Sequence, residues 1–408
     1  KAPENDIATD HASAFRVAES IGFPVLVRPS FVLGGRGMEI IYDEAGMQSY
    51  FDRNQHNVVI DDKHPLLVDR FLEDAIEIDV DALYDGETLF IGGVMEHIEE
   101  AGIHSGDSSC TLPPVTLSEN ILQQVRKATE RLAEAIGVRG LINIQFALSG
   151  SSLYVLEANP RASRTVPFVS KALGITLAKA ASLIMVGTSI QELIKDGKLP
   201  SVDGSHAADS PISVKEAVLP FRRFSTPEGL YVDSLLGPEM RSTGEVMGIA
   251  QDFPTAFAKS QVAAGVNLPT GGKAFVSVSD RDKHSIVLPV RRLWQMGFEI
   301  LATRGTARML GKQGIPATEV IKYSEKKDGE TSIVELIAKG EVDIVINTPS
   351  GGAARADGYE IRAATTASGK AIFTTAAQLS PAIASLEFVK DNSFDVMSLQ
   401  EYDKRRSA

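Results

Sequence analysis

The sequence predicts an α+β front portion followed by an α/β domain with a doubly wound parallel sheet. Three observations carry this expectation. From residue 273 onward strands and helices alternate regularly, as a series of βαβ units requires. Before that point they mix without such order. Within the front portion two long hairpin-like stretches stand out, "IEIDVDALYDGETLFIGGVMEHI" and "GLINIQFALSGSSLYVLEANPR". The 408 residues are enough for two or three domains.

Residues 9–21 read as a helix capped by Thr9 or Asp10. Strands follow at 23–28 and 38–42, joined by a segment in which Gly34, Gly35 and Gly37 surround Arg36. A helix near 43–53 and a strand at 66–71 come next. In the first hairpin Ile76, Ile78, Val80 and Ala82 alternate with Glu77, Asp79 and Asp81, the pattern of a half-buried strand. A long helix covers 118–136, the second hairpin 141–157, and a further helix runs through "ITLAKAASLIMVG". Residues 201–213 read as a polar surface loop. The stretch 256–272, ending in "AAGVNLPTGG", reads as a linker between 1–255 and 273–408. Beyond it strands at 273–279, 298–303, 319–323, 342–348 and 370–375 alternate with helices at 282–296, 305–312, 331–339 and 354–368, and a last helix closes the chain.

Bulk properties narrow the function. A net charge of −12 argues against nucleic acid as a partner. The single cysteine, Cys110, excludes an internal disulfide, points to a reducing cytoplasmic compartment and reads as a packed residue. No apolar run of about 18 residues suggests a membrane span, and no signal peptide is evident. The chain begins at Lys1 in mid-pattern and reads as a fragment.

The second hairpin carries the clearest chemistry. A turn centred near residue 151 pairs Gln145 with Glu157 and Asn143 with Asn159, all projecting from one face. Oxygen ligands of this kind suit Mg²⁺, which takes few protein carboxylates and completes its shell with phosphates and water. Arg161 and Arg164 follow at once and supply bidentate phosphate binders. Taken alone, the Gly34–Gly37 segment reads as an ordinary turn, because no P-loop lysine follows. It becomes a candidate phosphate flap beside Arg28. Glu77 is a candidate for ribose hydroxyls, the 70–72 backbone for an adenine edge, and His104 for phosphate or acyl contact. In the last domain Thr303, Thr306, Asn347, Ser350 and Lys322 lie after strands, where parallel sheets bind anions.

The segments "VRPSFVLGGRGMEIIYDE", "MEHIEEAGIHSGDSSCTLPP", "VLEANPRASRTVPFVSKALG" and "LLGPEMRSTGEVMG" closely resemble the large subunit of carbamoyl phosphate synthetase. The resemblance runs end to end. It implies a partial ATP-grasp unit, the later part of that subunit's second half, followed by a methylglyoxal-synthase-like allosteric domain. The implied reaction is phosphorylation of carbamate by ATP, serving arginine and pyrimidine biosynthesis. Implied nucleotide contacts are Arg28, Arg70, Leu72, Glu77, Gly102, Ile103, His104 and Ser105, together with Gln145 and Glu157. Gln145, Glu157 and Asn159 hold Mg²⁺ or Mn²⁺, two ions in all, with potassium a further cation. Arg161, Arg164 and His104 face the transferred phosphoryl group. Lys283, Thr303, Thr306, Lys322, Asn347 and Thr348 meet a uridylate-type effector. Implied partners are the glutamine amidotransferase small subunit and the missing N-terminal half. The rival readings are a non-catalytic fragment that keeps nucleotide and effector binding, and another ATP-grasp carboxylase or ligase.

Overall fold

The computed structural model describes all residues except 33, 56–57, 205–209, 224–231, 323–324, 328–330, 350–351, 392 and 408, and leaves out the side chains of 352–357, 391, 403 and 405–407. Candidate Ser350 therefore lies outside the described residues, as do parts of the expected loop at 201–213 and strand at 319–323.

Among the described residues three sheets organise the fold. Strands β1 (Asn5–Ala8), β2 (Val25–Arg28), β3 (Glu39–Ile41) and β4 (Leu66–Arg70) form an antiparallel sheet in the order β1-β4-β2-β3. Helices α1 (His11–Ile21) and α2 (Glu44–Asn54) pack their apolar residues on it. Helix α1 starts where it does because Asp10 and Ser13 satisfy each other's end of a capping box.

The second sheet is antiparallel and seven-stranded. It comprises β5 (Ile76–Tyr84), β6 (Leu89–Glu100), β7 (Cys110–Leu112), β8 (Gly140–Ser149), β9 (Ser152–Asn159), β10 (Ile212–Val218) and β11 (Gly244–Ala250), in the order β11-β10-β7-β6-β5-β8-β9. Helix α3 (Glu119–Ile136) covers one face, burying Ile121, Leu122 and Val125 against Ile78, Val80, Ile142 and Ile144. Each such side chain contributes about 1.5–3 kcal/mol by leaving water. Helices α4 (Val166–Leu173), α5 (Leu177–Met185) and α6 (Ile190–Lys195) pack against Leu83, Phe90, Met95 and Leu141.

The third sheet is parallel throughout. Strands β12 (Lys273–Val278), β13 (Glu299–Thr303), β14 (Thr318–Val320), β15 (Ile344–Thr348) and β16 (Ala371–Phe373) take the order β14-β13-β12-β15-β16. Helix α7 (Phe253–Ala263) precedes it. Helices α8 (Val287–Gln295), α9 (Arg304–Lys312), α10 (Ile333–Ala338), α11 (Gly352–Ser368) and α12 (Leu379–Asp391) alternate with its strands, and α13 (Leu399–Ser407) ends the chain. The strand order reverses between β12 and β15, so a ligand crevice belongs at their carboxyl ends.

Several expectations change. Strand β5 is buried on both faces: Glu77, Asp79 and Asp81 are as inaccessible as the apolar residues between them. Alternation detects two chemically different faces but not that both are covered. The expected linker at 256–272 is helical up to Ala263, and Ala256, Phe257 and Ala258 join the core of the last domain together with Val214 and Ala250. The loop expected to Ser213 gives way to β10 at Ile212. The helix expected from 282 begins at Val287, after a 3₁₀ turn at Arg281–Lys283. Strands β1, β7, β10 and β11 and helices α4, α6 and α13 fall outside the sequence-based expectations.

Candidate nucleotide-binding site

Between the first two sheets lies a cavity of about 650 Å³. Its wall includes Arg28, Arg70, Leu72, Glu77, Gly102, Ile103, His104, Ser105, Gln145, Glu157, Asn159, Arg161 and Arg164. All thirteen residues singled out for nucleotide, metal and phosphoryl contact thus share one cavity, although they come from both sheets and three loops.

The floor is the β8–β9 hairpin, and its register is the expected one: Gln145 opposes Glu157 and Asn143 opposes Asn159. Asn143 is buried and donates to Asp79 Oδ1 at 2.5 Å and Asp81 Oδ1 at 3.0 Å, so it braces the floor. Gln145 Nε2 donates to Ser105 Oγ at 2.8 Å, which leaves the amide oxygen as the atom of Gln145 available to a ligand. Asn159 Nδ2 donates to Glu157 Oε1 at 2.5 Å. A cation on this pair requires the Asn159 amide to turn its oxygen inward. Among the described residues no group of three His, Cys, Asp or Glu side chains converges on a metal position. The donors of the hairpin are one carboxylate and two amides, which fits Mg²⁺ sharing its shell with phosphate and water and does not fit a metal held by protein alone.

The flap joins β2 to β3. Gly34, Gly35 and Gly37 have φ of 63°, 69° and 70°, a region that costs other residues about 1–2 kcal/mol. Below it Arg28 is already engaged, with Nε and Nη2 on the two oxygens of Asp69 at 2.7 and 3.1 Å. Arg70 Nη1 donates to the Ile21 carbonyl at 2.8 Å.

The far wall is electrostatically tense. Glu77 is pushed up to about 7, chiefly by burial, with His97 opposing and Asp79 reinforcing the shift. Burial also raises Asp81, against hydrogen bonds from Ser163, Thr165 and Asn143. Burial lowers His104, Asp107 opposes this, and Arg164 adds to it. Its Nδ1 accepts from the Gly106 amide at 3.0 Å, so the neutral ring carries its proton on Nε2 as a donor.

Three contributors escaped the sequence reading. Lys215 is fully buried and donates from Nζ to the Ser105 and Ser108 carbonyls at 2.9 and 2.7 Å, fastening the loop that carries His104. The loop 232–243 lies over the cavity, where the Gly237 carbonyl accepts from the His104 amide at 2.8 Å and the Met240 amide donates to the Gly34 carbonyl at 3.1 Å. Asp107 takes the amides of Arg241 and Ser242 at 2.7 and 2.8 Å. The segment "LLGPEMRSTG" was legible as a signature, but a loop's span across space has no periodic signal.

A second group of candidates gathers at the crevice of the parallel sheet. Asn347 and Thr348 end β15 beside Ser277 and Val278 of β12. Thr303 ends β13, with its hydroxyl 3.4 Å from that of Thr306. Thr348 Oγ1 donates to Asp282 Oδ2 at 2.6 Å, and Lys283 pairs with Asp280 at 2.5 Å close to the start of α9. Lys322 lies just past β14.

The fold and the cavity define a nucleotide-binding domain of the ATP-grasp class joined to a doubly wound MGS-like domain. A family model described as carbamoyl-phosphate synthase L chain, ATP binding domain, matches residues 2–193, and one described as MGS-like domain matches 285–370. The carbamoyl phosphate synthase large chain of Clavibacter michiganensis subsp. michiganensis is 65% identical over 410 residues, covering 100% of this chain and 37% of that one. Those of Beutenbergia cavernae and Kineococcus radiotolerans are 59% and 58% identical, each again covering 100% of this chain and 37% of the relative. The chain therefore belongs to the carbamoyl phosphate synthase large-chain family, and it spans 37% of the length of the curated relatives it matches. Among solved structures, the biotin carboxylase domain of Hydrogenobacter thermophilus 2-oxoglutarate carboxylase aligns with a TM-score of 0.48 and 15% identity, over 64% of this chain and 61% of that one. Among the described residues no single helix is long and apolar enough to cross a membrane; α4 and α5 pass together only as a pair bent by 114°, and both line the core.

Proposed function

We propose that this chain supplies the ATP site that phosphorylates carbamate, yielding carbamoyl phosphate and ADP, and that its last domain binds a uridylate-type effector. The observation that carries the reading is the convergence of the hairpin donors, the paired arginines and the glycine flap on one cavity. Gln145, Glu157 and Asn159 would hold Mg²⁺ or Mn²⁺, with the two Glu157 oxygens able to serve two ions. The metal's contribution is to neutralise charge on the transferring phosphoryl group. Potassium is a further candidate cation.

The chain's own groups do the rest by positioning and charge. Leu72 and the backbone after Arg70 border the base, and Glu77 faces the ribose. A carboxyl with its proton retained near neutrality is a donor as well as an acceptor there. Arg161 and Arg164 stabilise the phosphoryl group in flight, and His104 presents its Nε2–H to it. Arg28, clamped by Asp69, offers its remaining nitrogen to the nucleotide phosphates. The flap, held by loop 232–243, excludes water that would hydrolyse the product. No covalent nucleophile is needed, because the carbamate oxygen attacks the γ-phosphorus and ADP leaves.

In the last domain Lys283 follows β12 and Asn347 and Thr348 end β15, where the strand order reverses, while Thr303, Thr306 and Lys322 follow the neighbouring strands β13 and β14; this shared end of the sheet supports effector binding there. The working enzyme includes the N-terminal half of the large subunit and a glutamine amidotransferase small subunit, acts in the cytoplasm, and feeds arginine and pyrimidine synthesis. The test is ATP formation from ADP and carbamoyl phosphate by the assembled enzyme. Glu157→Ala is expected to abolish it, and its retention would remove Glu157 from the metal site.

A further inference from the structure

Arg362 sits on α11, and its side chain is fully buried. Nε donates to Asp233 Oδ1 at 2.6 Å and Nη2 to Asp233 Oδ2 at 2.7 Å, a bidentate pair. Nη1 donates to Asn347 Oδ1 at 3.0 Å, at the end of β15. One guanidinium thus grips two things: a residue of the crevice in the last domain, and the loop 232–243 that roofs the nucleotide cavity. Arg241 Nη1 returns to the Asp233 carbonyl at 3.1 Å, so the roof closes on its own anchor. From there the loop reaches His104, Gly34 and Asp107 through its backbone, and Met240 reaches Arg164 through its sulfur.

We propose that Arg362 is a positioning residue for the phosphoryl-transfer site: through Asp233 it fixes the roof loop against the flap and His104, and through Asn347 it relays occupancy of the crevice to that loop. The relay rests on the effector reading given above; the positioning does not.

A second link between the domains has different physics. Arg281 reaches Glu73, Asp74 and Glu100 at 3.1–3.8 Å, but its side chain is 33% exposed. Water and salt screen such contacts, and they give way gradually. The Arg362–Asp233 pair is shielded on the arginine side, and separating it breaks a bidentate ion pair whose arginine is out of reach of water. That favours a few discrete arrangements of the roof loop over a continuum, which is what a relay needs.

Arg362→Lys keeps the charge and loses the fork. Asp233→Asn combined with Arg362→Gln removes both charges at similar volume. In the assembled enzyme, amide exchange at Met240, Arg241 and Ser242 should quicken by about tenfold in each variant, while β5 and β6 keep their protection. kcat for ATP formation from ADP and carbamoyl phosphate should fall by roughly ten- to a hundredfold, with KM for ADP changing less. A merely structural role would lower the melting temperature without that split. Wild-type exchange and wild-type kcat in the variants would overturn the positioning role. Uridylate should shift turnover of the wild type and not of the variants. An equal shift in all three would overturn the relay. Absence of uridylate binding to the wild type in calorimetry would overturn the effector reading and the relay with it, while the exchange and kcat results still decide the positioning. If Arg362→Lys fails to fold, the double variant supplies the same readings.

Discussion

Gly34 and Gly35 are neighbours in the flap, share a left-handed backbone and should respond very differently to alanine. Both pay the left-handed cost of about 1–2 kcal/mol. At Gly34 nothing lies within 4 Å of where a Cβ would stand, so Gly34→Ala pays strain alone. At Gly35 the Cβ would overlap the Pro238 carbonyl oxygen and stand 2.9 Å from its carbon. Restoring an ordinary 3.4 Å contact to that carbon moves the flap and the roof loop apart by at least 0.5 Å, and the oxygen demands more. A misplacement on the order of 1 Å costs about a hundredfold in rate. In ATP formation from ADP and carbamoyl phosphate, Gly34→Ala should therefore stay within about tenfold of wild type, the equivalent of about 1.4 kcal/mol. Gly35→Ala should lose on the order of a hundredfold, mostly in kcat. Equal effects of the two substitutions would refute the idea that the flap works by closing on Pro238.

Further expectations concern charge. Ser109 Oγ lies 2.6 Å from Glu216 and 3.1 Å from Glu99, so its single proton is shared between two buried carboxyls. Burial first, and then the Glu99 charge, pushes Glu216 up to about 8 from 4.5. A raised folded-state value means stability that is full below about pH 4.5 and lost as pH rises through about 8. Denaturant melts from pH 5 to 9 should show Glu216→Gln removing the part of the slope between about pH 7 and 8, above the raised value of Glu77; an unchanged slope there would place the proton elsewhere. Lys215→Met leaves the Ser105 and Ser108 carbonyls without their buried donor, which costs about 1–3 kcal/mol and should raise KM for ADP. Unchanged stability and KM would show that the loop needs no such fastening. Lys283→Ala should weaken uridylate binding by about 1.5–3 kcal/mol in calorimetry, the range for a hydrogen bond to a charged group. Binding as tight as wild type would take Lys283 out of the effector pocket.

Local pattern made the hairpin legible. Two strands around "SGSS" can pair in few ways, so Gln145 meets Glu157 whatever surrounds them. The parallel sheet was legible for the same reason, since each strand–helix pair is set within a few dozen residues. What failed depended on coverage at long range. Glu77, Asp79 and Asp81 looked solvated because alternation reports that the faces differ and says nothing about the loops folded over the second face. Helix α7 looked like the start of a linker because its mixed composition shows no apolar stripe, and it is buried from several sides by two domains at once. Lys215 and Asp233 were invisible as site residues, because their partners lie more than 100 residues away in the chain.

The central claim is that this cavity is where phosphoryl transfer occurs. Its most direct test is a structure of the intact large subunit with a nonhydrolysable ATP analogue and Mg²⁺. The account predicts the nucleotide between the β2–β3 flap and the β8–β9 hairpin, metal on Glu157 and Gln145, and the γ-phosphate facing Arg161 and Arg164. A vacant cavity at saturating nucleotide, or a nucleotide whose phosphates point away from the hairpin, would contradict it.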